Sequence, residues 1–247
     1  GNTVGPMEAL RLVPPEILRF LVANSKPSKA IEFDTAMGLV NLADEYERLC
    51  NRDFRAELED DALSRRKRVQ IEDAMVAVEL SSTDENKARV AASVSFRHLA
   101  LLAQVKPTDE GVWQSLQSSG ALETPGEELV DRLSRMRSWI ASDHFPEEMR
   151  INLSQEPNKN ALNLLSVEQM RVVKVLHSVL SQVPWDVEGI TAAFKEASVQ
   201  ANVGMRDVYR ASYAVFMGAE RGPRLAPILS NCEREEMLTL VKKSAAL

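Results

Sequence analysis

From Val208 to Leu229 the chain reads as a helix, an abrupt stop and a second helix, and few folds accommodate so tight a corner. Tyr209, Tyr213 and Phe216 fall at i, i+4 and i+7, and Val208, Ala211 and Val215 widen the stripe, so this helix is expected to be mostly buried. Gly218 stands where a left-handed residue would close it. Gly222-Pro223 then predicts an N-cap glycine and a first-turn proline for the next helix. Arg221 and Arg224 flank the turn, and Arg206 and Arg210 lie one helical turn apart before it. The spacing predicts four guanidiniums near one corner, the chemistry of a phosphate or base reader.

The remainder of the chain is also helical in pattern. Only 10 Gly are spread over 247 residues, and Ala, Leu, Glu and Arg abound, which favours helix nearly throughout; no segment alternates strictly enough to require a strand. With 45% hydrophobic and 27% charged residues the chain can bury one large core or two moderate ones, and two domains are expected. The formal charge of −6 argues against a surface coated for nonspecific nucleic-acid binding, so any RNA contact must be local. Cys50 and Cys232 lack metal-like neighbours, and His98, His144 and His177 are distant from one another in sequence, so neither a metal site nor a nucleophile–histidine pair is predicted. No apolar run approaches membrane-spanning length and no signal peptide precedes the first helix, which predicts a cytoplasmic protein with no membrane partner.

Taken in order, Pro14-Pro15 opens a helix through Leu18 and Leu21, with Lys26 and Lys29 after its end. A second helix is predicted from Thr35 to Cys50, its Asp44-Glu45-Tyr46-Glu47-Arg48 segment forming a solvated charged face. Arg65-Arg66-Lys67-Arg68 is the densest basic run; either it is a phosphate stripe, or, as we favour, Glu57, Glu59, Asp60 and Asp61 neutralise it by i, i+4 pairing within one helix. Phe96 and Leu99 are expected in the core although Phe96-Arg97-His98 has base-stacking chemistry. Thr124-Pro-Gly-Glu127 and Ser166-Val-Glu-Gln169 read as capping boxes. Asn152 to Asn160 lacks periodicity and reads as the linker between domains. Beyond it Pro184 ends one helix and Asp186 caps the next, while Trp185 reads as a buried hinge aromatic. Asn231 is expected to cap a last helix from Glu233 to Val241.

The run Tyr209-Arg-Ala-Ser-Tyr213-Ala-Val-Phe216-Met-Gly218-Ala-Glu-Arg221-Gly222-Pro223-Arg224-Leu also resembles a block near the C-terminus of class I lysyl-tRNA synthetases. Further matches occur in the family's order: Pro15-Glu16-Ile17-Leu18-Arg19-Phe20-Leu21, Lys26-Pro27-Ser-Lys29-Ala-Ile31-Glu-Phe33-Asp34, Asp44-Glu45-Tyr46-Glu-Arg48, Val94-Ser95-Phe96-Arg97-His98-Leu99, and Trp139-Ile140 followed by Phe145-Pro146-Glu147-Glu148. The Lys26 to Asp34 block resembles the lysyl enzyme specifically, whereas the C-terminal block alone would also suit a glutamyl-tRNA synthetase. Gly1-Asn2 resembles the tail of the loop that closes over ATP in this class.

The resemblance implies an all-α portion of such an enzyme, built of two consecutive helical subdomains. Residues 1–34 would be a connector after the signature loop, 35–150 a tRNA stem-contact and linking part, and 160–247 a compact anticodon-binding bundle. Its partners would be lysine tRNA and the enzyme's own N-terminal catalytic domain, with no DNA, and no catalytic residue would lie here. ATP with magnesium would bind in that catalytic domain, with no cofactor in this portion. Arg210, Arg221 and Arg224 are the principal expected RNA contacts, with Arg206 and Lys195 behind them and Lys26 and Lys29 near the inner corner of the tRNA. The alternatives are the corresponding portion of a glutamyl-tRNA synthetase, or a helical scaffold that binds no RNA.

Overall fold

The structure, a computed structural model, describes residues 5–26, 28, 30, 31, 33–82 and 93–247. Among these the fold is all-α, with fourteen α-helices, one 3-10 turn at Glu147–Met149 and no strand. The chain forms two compact units: Gly1–Ala103 with Pro107–Pro146, and Gln104–Lys106 with Glu147–Leu247.

In the first unit, α1 (Pro6–Leu12) and α2 (Pro15–Ala23) each begin on a proline, whose fixed φ suits the first helical turn. They are followed by α3 (Met37–Cys50), α4 (Phe54–Leu58), α5 (Arg65–Ser81), α6 (Phe96–Val105), α7 (Asp109–Ser118) and α8 (Glu127–Ile140). α2 packs on both α3 and α5, and α1 packs on α8. The expected helix from Thr35 starts instead at Met37, because the Asp34 carboxylate accepts from the Ala36 and Gly38 amides and fills the role of a cap. Trp139 is fully buried and its Nε1 donates to the Thr35 carbonyl at 2.8 Å. Phe96 and Phe145 lie against it at 5.3 and 4.7 Å between ring centroids, so Phe96 is a core residue and not a base-stacking surface.

The charged segment of α3 departs most from its sequence reading. Tyr46 and Glu47 are buried, not solvated. Glu47 faces Arg132 of α8 at 3.3 Å, Glu16 of α2 stands 3.7 Å from the same guanidinium, and Arg132 is only 1% exposed. Arg132 Nη1 donates to the Val94 carbonyl at 3.2 Å, and Glu47 Oε1 accepts from the Phe96 amide at 2.8 Å. Burial pushes the Glu47 carboxyl up to about 7, against the opposing pull of Arg132. Asp44 on the same helix pairs with Arg97 at 2.7 Å.

The basic run is a second correction. Its acids do not share its helix: α5 starts at Arg65 with Ser64 as N-cap, while Glu57 lies on α4 and Glu59, Asp60 and Asp61 lie after it. Intrahelical i, i+4 pairing with those residues is therefore impossible. A third correction concerns Thr124. α8 begins at Glu127 with an extended Gly126 as N-cap and no side-chain cap, so Glu127 and Glu128 stabilise the helix start through its dipole.

The second unit consists of α9 (Lys159–Asn163), α10 (Val167–Ser181), α11 (Val187–Ala201), α12 (Met205–Met217), α13 (Leu225–Leu229) and α14 (Arg234–Ala245). α10 is its centre and packs on α11, α12 and α14, burying Val173, Leu176, Leu180, Phe194, Phe216 and Val241 in one cluster. The Ser166–Gln169 capping box is present, and Asp186 accepts from the Gly189 amide at 2.7 Å. Trp185 is a partly buried hinge residue, as expected, with Nε1 donating to the Cys232 carbonyl at 3.0 Å. The last helix runs from Arg234, not Glu233, and has no side-chain cap. The Asn231 amide is occupied at the end of the preceding helix, where it donates to the Pro227 carbonyl at 2.9 Å.

Two outcomes test the buried Glu16–Arg132–Glu47 cluster. Arg132→Met should destabilise the chain by about 3–5 kcal/mol in denaturant titration, because the buried carboxyls lose their cation; adding Glu16→Gln and Glu47→Gln should recover much of that loss. The second outcome is pH dependence. Glu47 is raised from its ordinary 4.5 to about 7, so the folded state binds its proton more tightly than the unfolded state. Its contribution is full below about pH 4.5 and lost as pH rises through about 7. Glu47→Gln should flatten the stability–pH profile across that window, and an unchanged profile would contradict the assignment.

Candidate nucleic-acid interface

The corner that ends α12 is pinned from three sides. Gly218 adopts φ 60°, ψ 27°, the left-handed cap conformation expected for it. A Cβ at this position would collide with the side chain of Asn158, which itself caps α9 by accepting from the Ala161 amide at 3.1 Å. Ser154 N–H donates to the Phe216 carbonyl at 2.8 Å, tying the preceding segment to the end of the helix. The Tyr213 hydroxyl lies 2.9 and 2.8 Å from the Gly222 and Pro223 carbonyl oxygens. These contacts hold Gly222-Pro223 along α12, so α13 starts only after Arg224, and the expected N-cap glycine and first-turn proline are not formed. A Cβ on Gly222 would press on Met217 Sδ at 3.1 Å and on the Tyr213 ring at 3.3 Å.

Two grooves border this turn and share Ala219. The smaller, about 230 Å³, is lined by Asn158, Asn160, Leu165, Arg210, Ala214 and Glu220 among others. The larger, about 660 Å³, is lined by Glu147, Arg150, Asn152, Met217, Arg221 and Pro223 among others. Each mixes apolar surface with donors and acceptors, which suits a planar polar ligand.

The expected RNA contacts divide between these surroundings. Arg210 lines the smaller groove, where its Nη2 donates to Glu220 Oε1 at 2.8 Å. Arg221 is exposed at the larger groove, and Arg224 is exposed at the N-cap position of α13. Arg206 is exposed in the first turn of α12, and Lys195 is exposed on α11. Lys26 is exposed just after α2 in the first unit. Lys29, Gly1 and Asn2 lie outside the described residues. The corner therefore presents an interleaved set of charges, with Glu220, Glu147 and Glu148 among the arginines, in place of four converging guanidiniums.

Sequence reasoning, which read Asn152 to Asn160 as a linker, missed that this segment and Arg150 just before it line the grooves. Arg150 and Asn152 line the larger groove and Asn158 and Asn160 the smaller. An N-cap signal was present in Asn158, three residues before Ala161, but aperiodicity concealed that the segment packs on the end of α12. The two tyrosines of α12 are engaged within the fold: Tyr209 meets Phe194 edge-on at 5.6 Å between centroids, and Tyr213 is held by the turn carbonyls, with burial raising its phenol above the ordinary value. Both cysteines are free thiols, and burial pushes Cys232 up to about 11, which makes it a poor nucleophile.

The sequence has relatives that bear on this geometry. Residues 1–74 match the family model for class I tRNA synthetases (K). Over 98% of its length the chain is 26% identical to a lysine–tRNA ligase of Thermoplasma volcanium, of which it covers 44%. Similar matches are a lysine–tRNA ligase of Thermoplasma acidophilum, 27% identical over 95% of the chain and 43% of the relative, and one of Thermococcus kodakarensis, 26% identical over 95% and 44%. The chain thus spans less than half the length of the curated relatives it matches. Matches of this kind run along nearly the whole chain, so the chain is similar over almost its full length to lysine–tRNA ligases, and its first 74 residues to the class I tRNA synthetase (K) family.

Proposed function

We propose that the chain is the C-terminal, tRNA-recognising portion of a cytoplasmic lysine–tRNA ligase. The observation that carries this reading is the Gly218 to Arg224 corner, a rigid turn beside two polar grooves with Arg221 and Arg224 exposed on it. Residues 160–247 would read the anticodon of lysine tRNA, 35–150 would contact the stem, and 1–34 would connect them to the catalytic domain. Activation of lysine with ATP and magnesium, and its transfer to the tRNA terminus, would be carried out by that domain, while the residues described here hold the RNA in position.

The chemistry follows from the two grooves. Splayed anticodon bases are read on their edges by a few donors and acceptors, and guanidinium planes provide both hydrogen bonds and a stacking face. Arg221 and Arg224 are available for this without breaking a bond to an acid among the described residues. Arg210 is held by Glu220, so RNA must compete for it. Arg206, Lys195 and Lys26 are exposed cations suited to backbone phosphates, which position the RNA without reading sequence.

A titration with lysine and glutamate tRNA transcripts, and with a lysine tRNA carrying an exchanged anticodon, tests the reading. Tighter binding to the unaltered lysine tRNA is expected, weakening with salt; equal binding to all three would overturn it. Arg221→Gln or Arg224→Gln should weaken binding to lysine tRNA by about 1–3 kcal/mol and reduce discrimination between anticodons. Glu220→Gln should release Arg210 and strengthen tRNA binding several-fold at low salt; weaker binding would show that Glu220 itself contacts the RNA.

A further inference from the structure

The basic run at the start of α5 breaks a local rule with no compensation nearby. The N-terminus of a helix carries partial positive charge and favours acids, yet the first turn of this 17-residue helix holds Arg65, Arg66, Lys67 and Arg68 and no acid. Their i+3 and i+4 neighbours offer little relief: Val69, Gln70 and Ile71 follow Arg65, Arg66 and Lys67, and only Arg68 has an acid, Glu72, in reach.

Tertiary structure does not neutralise the run either. Glu57, the acid whose charge is felt at Lys67, is already held by Arg52 through Nε at 2.5 Å and Nη2 at 2.6 Å. Asp60 Oδ1 accepts from the Ala62 amide in its own turn. Arg68 folds back so that its guanidinium donates to the Leu58 and Asp60 carbonyls, at 2.9 and 3.5 Å. That anchors α5 to the end of α4 and leaves Arg65, Arg66 and Lys67 exposed. Among the described residues none of these three is within ion-pair distance of an acid, although Glu59 and Asp61 are exposed on the preceding segment. Three unpaired cations kept where the helix dipole repels them suit an external polyanion better than they suit the stability of α5.

We propose that Arg65, Arg66 and Lys67 form an RNA-backbone contact in the first unit, separate from the Gly218 to Arg224 corner. This rests on the reading that the chain binds tRNA. The cations act through charge and carry no base specificity, holding the phosphates of the tRNA body while the second unit reads the anticodon.

The test uses the whole chain and the triple variant Arg65→Gln, Arg66→Gln, Lys67→Gln, in which glutamine keeps helix propensity and removes the unfavourable charge. Fluorescence anisotropy of both proteins with complete lysine tRNA and with its isolated anticodon stem-loop gives four salt series of binding curves. The triple variant should bind complete tRNA about tenfold or more weakly, with the slope of log K against log salt reduced by about two to three. Its affinity for the stem-loop should be unchanged, and its melting temperature unchanged or higher. Equal affinity and equal salt slope for complete tRNA in both proteins would overturn the proposal, as would an equal loss on the stem-loop. If the unaltered chain discriminates no anticodon but the triple variant still loses tRNA, anticodon reading fails and this inference stands. If the unaltered chain binds neither RNA, both fail.

Discussion

The first unit depends on placing one cation in its interior. Arg132 comes from α8, its two carboxylates from α2 and α3, and its carbonyl partner, Val94, from the segment leading into α6. A guanidinium with 1% exposure cannot be left unpaired, so any packing that moves one of these elements by a helical turn strands a charge in a low-dielectric site. Such a cluster adds little net stability compared with an apolar core of the same shape, whereas removing one partner from it is costly. Arg132 Nε and Nη2 lack a hydrogen-bond partner, so the cluster is held by proximity of charge more than by aligned bonds. The raised Glu47 carboxyl has the same origin, since burial penalises its charged form more than the pull of Arg132 relieves it.

The second unit is organised by apolar packing instead. α10 lies at the centre of a continuous hydrophobic cluster, and the polar side chains with structural roles sit mostly at helix ends: Ser166, Asp186 and Asn158 as caps, and Tyr213 across the turn. This arrangement leaves charged side chains free for the surface. The exposed arginines of the corner are interleaved with glutamates, in keeping with a formal charge of −6.

Most sequence patterns held where the physics was local, the Thr124 capping box being an exception. The proline start of α2, the Ser166 capping box, the Asp186 cap and the left-handed Gly218 each depend on a handful of consecutive residues. Patterns failed where a distant partner competed for the same group. Asn231 had the right chemistry for an N-cap but donates to Pro227, and Gly222-Pro223 could have begun a helix had Tyr213 not held their carbonyls. The candidate site shows the same division. Its arginines and its turn were legible; the Asn152 to Asn160 stretch that lines both grooves was not, because packing on the end of α12 leaves no periodic trace in the sequence.

By itself the sequence determined that the described part of this protein is all-helical, where several of its helices start and stop, which apolar faces are buried, and its similarity to lysine–tRNA ligases. Those features follow from the helical period, from caps spanning three or four residues, and from motifs in a conserved order along the chain. Only the tertiary structure decided the state of the charges: that Glu47 is buried against Arg132, that Arg210 is held by Glu220, and that Arg65, Arg66 and Lys67 are left exposed. The energy of a charge is set by its burial and by partners within a few ångströms, and here those partners come from distant parts of the chain, as Glu16 and Glu47 do for Arg132.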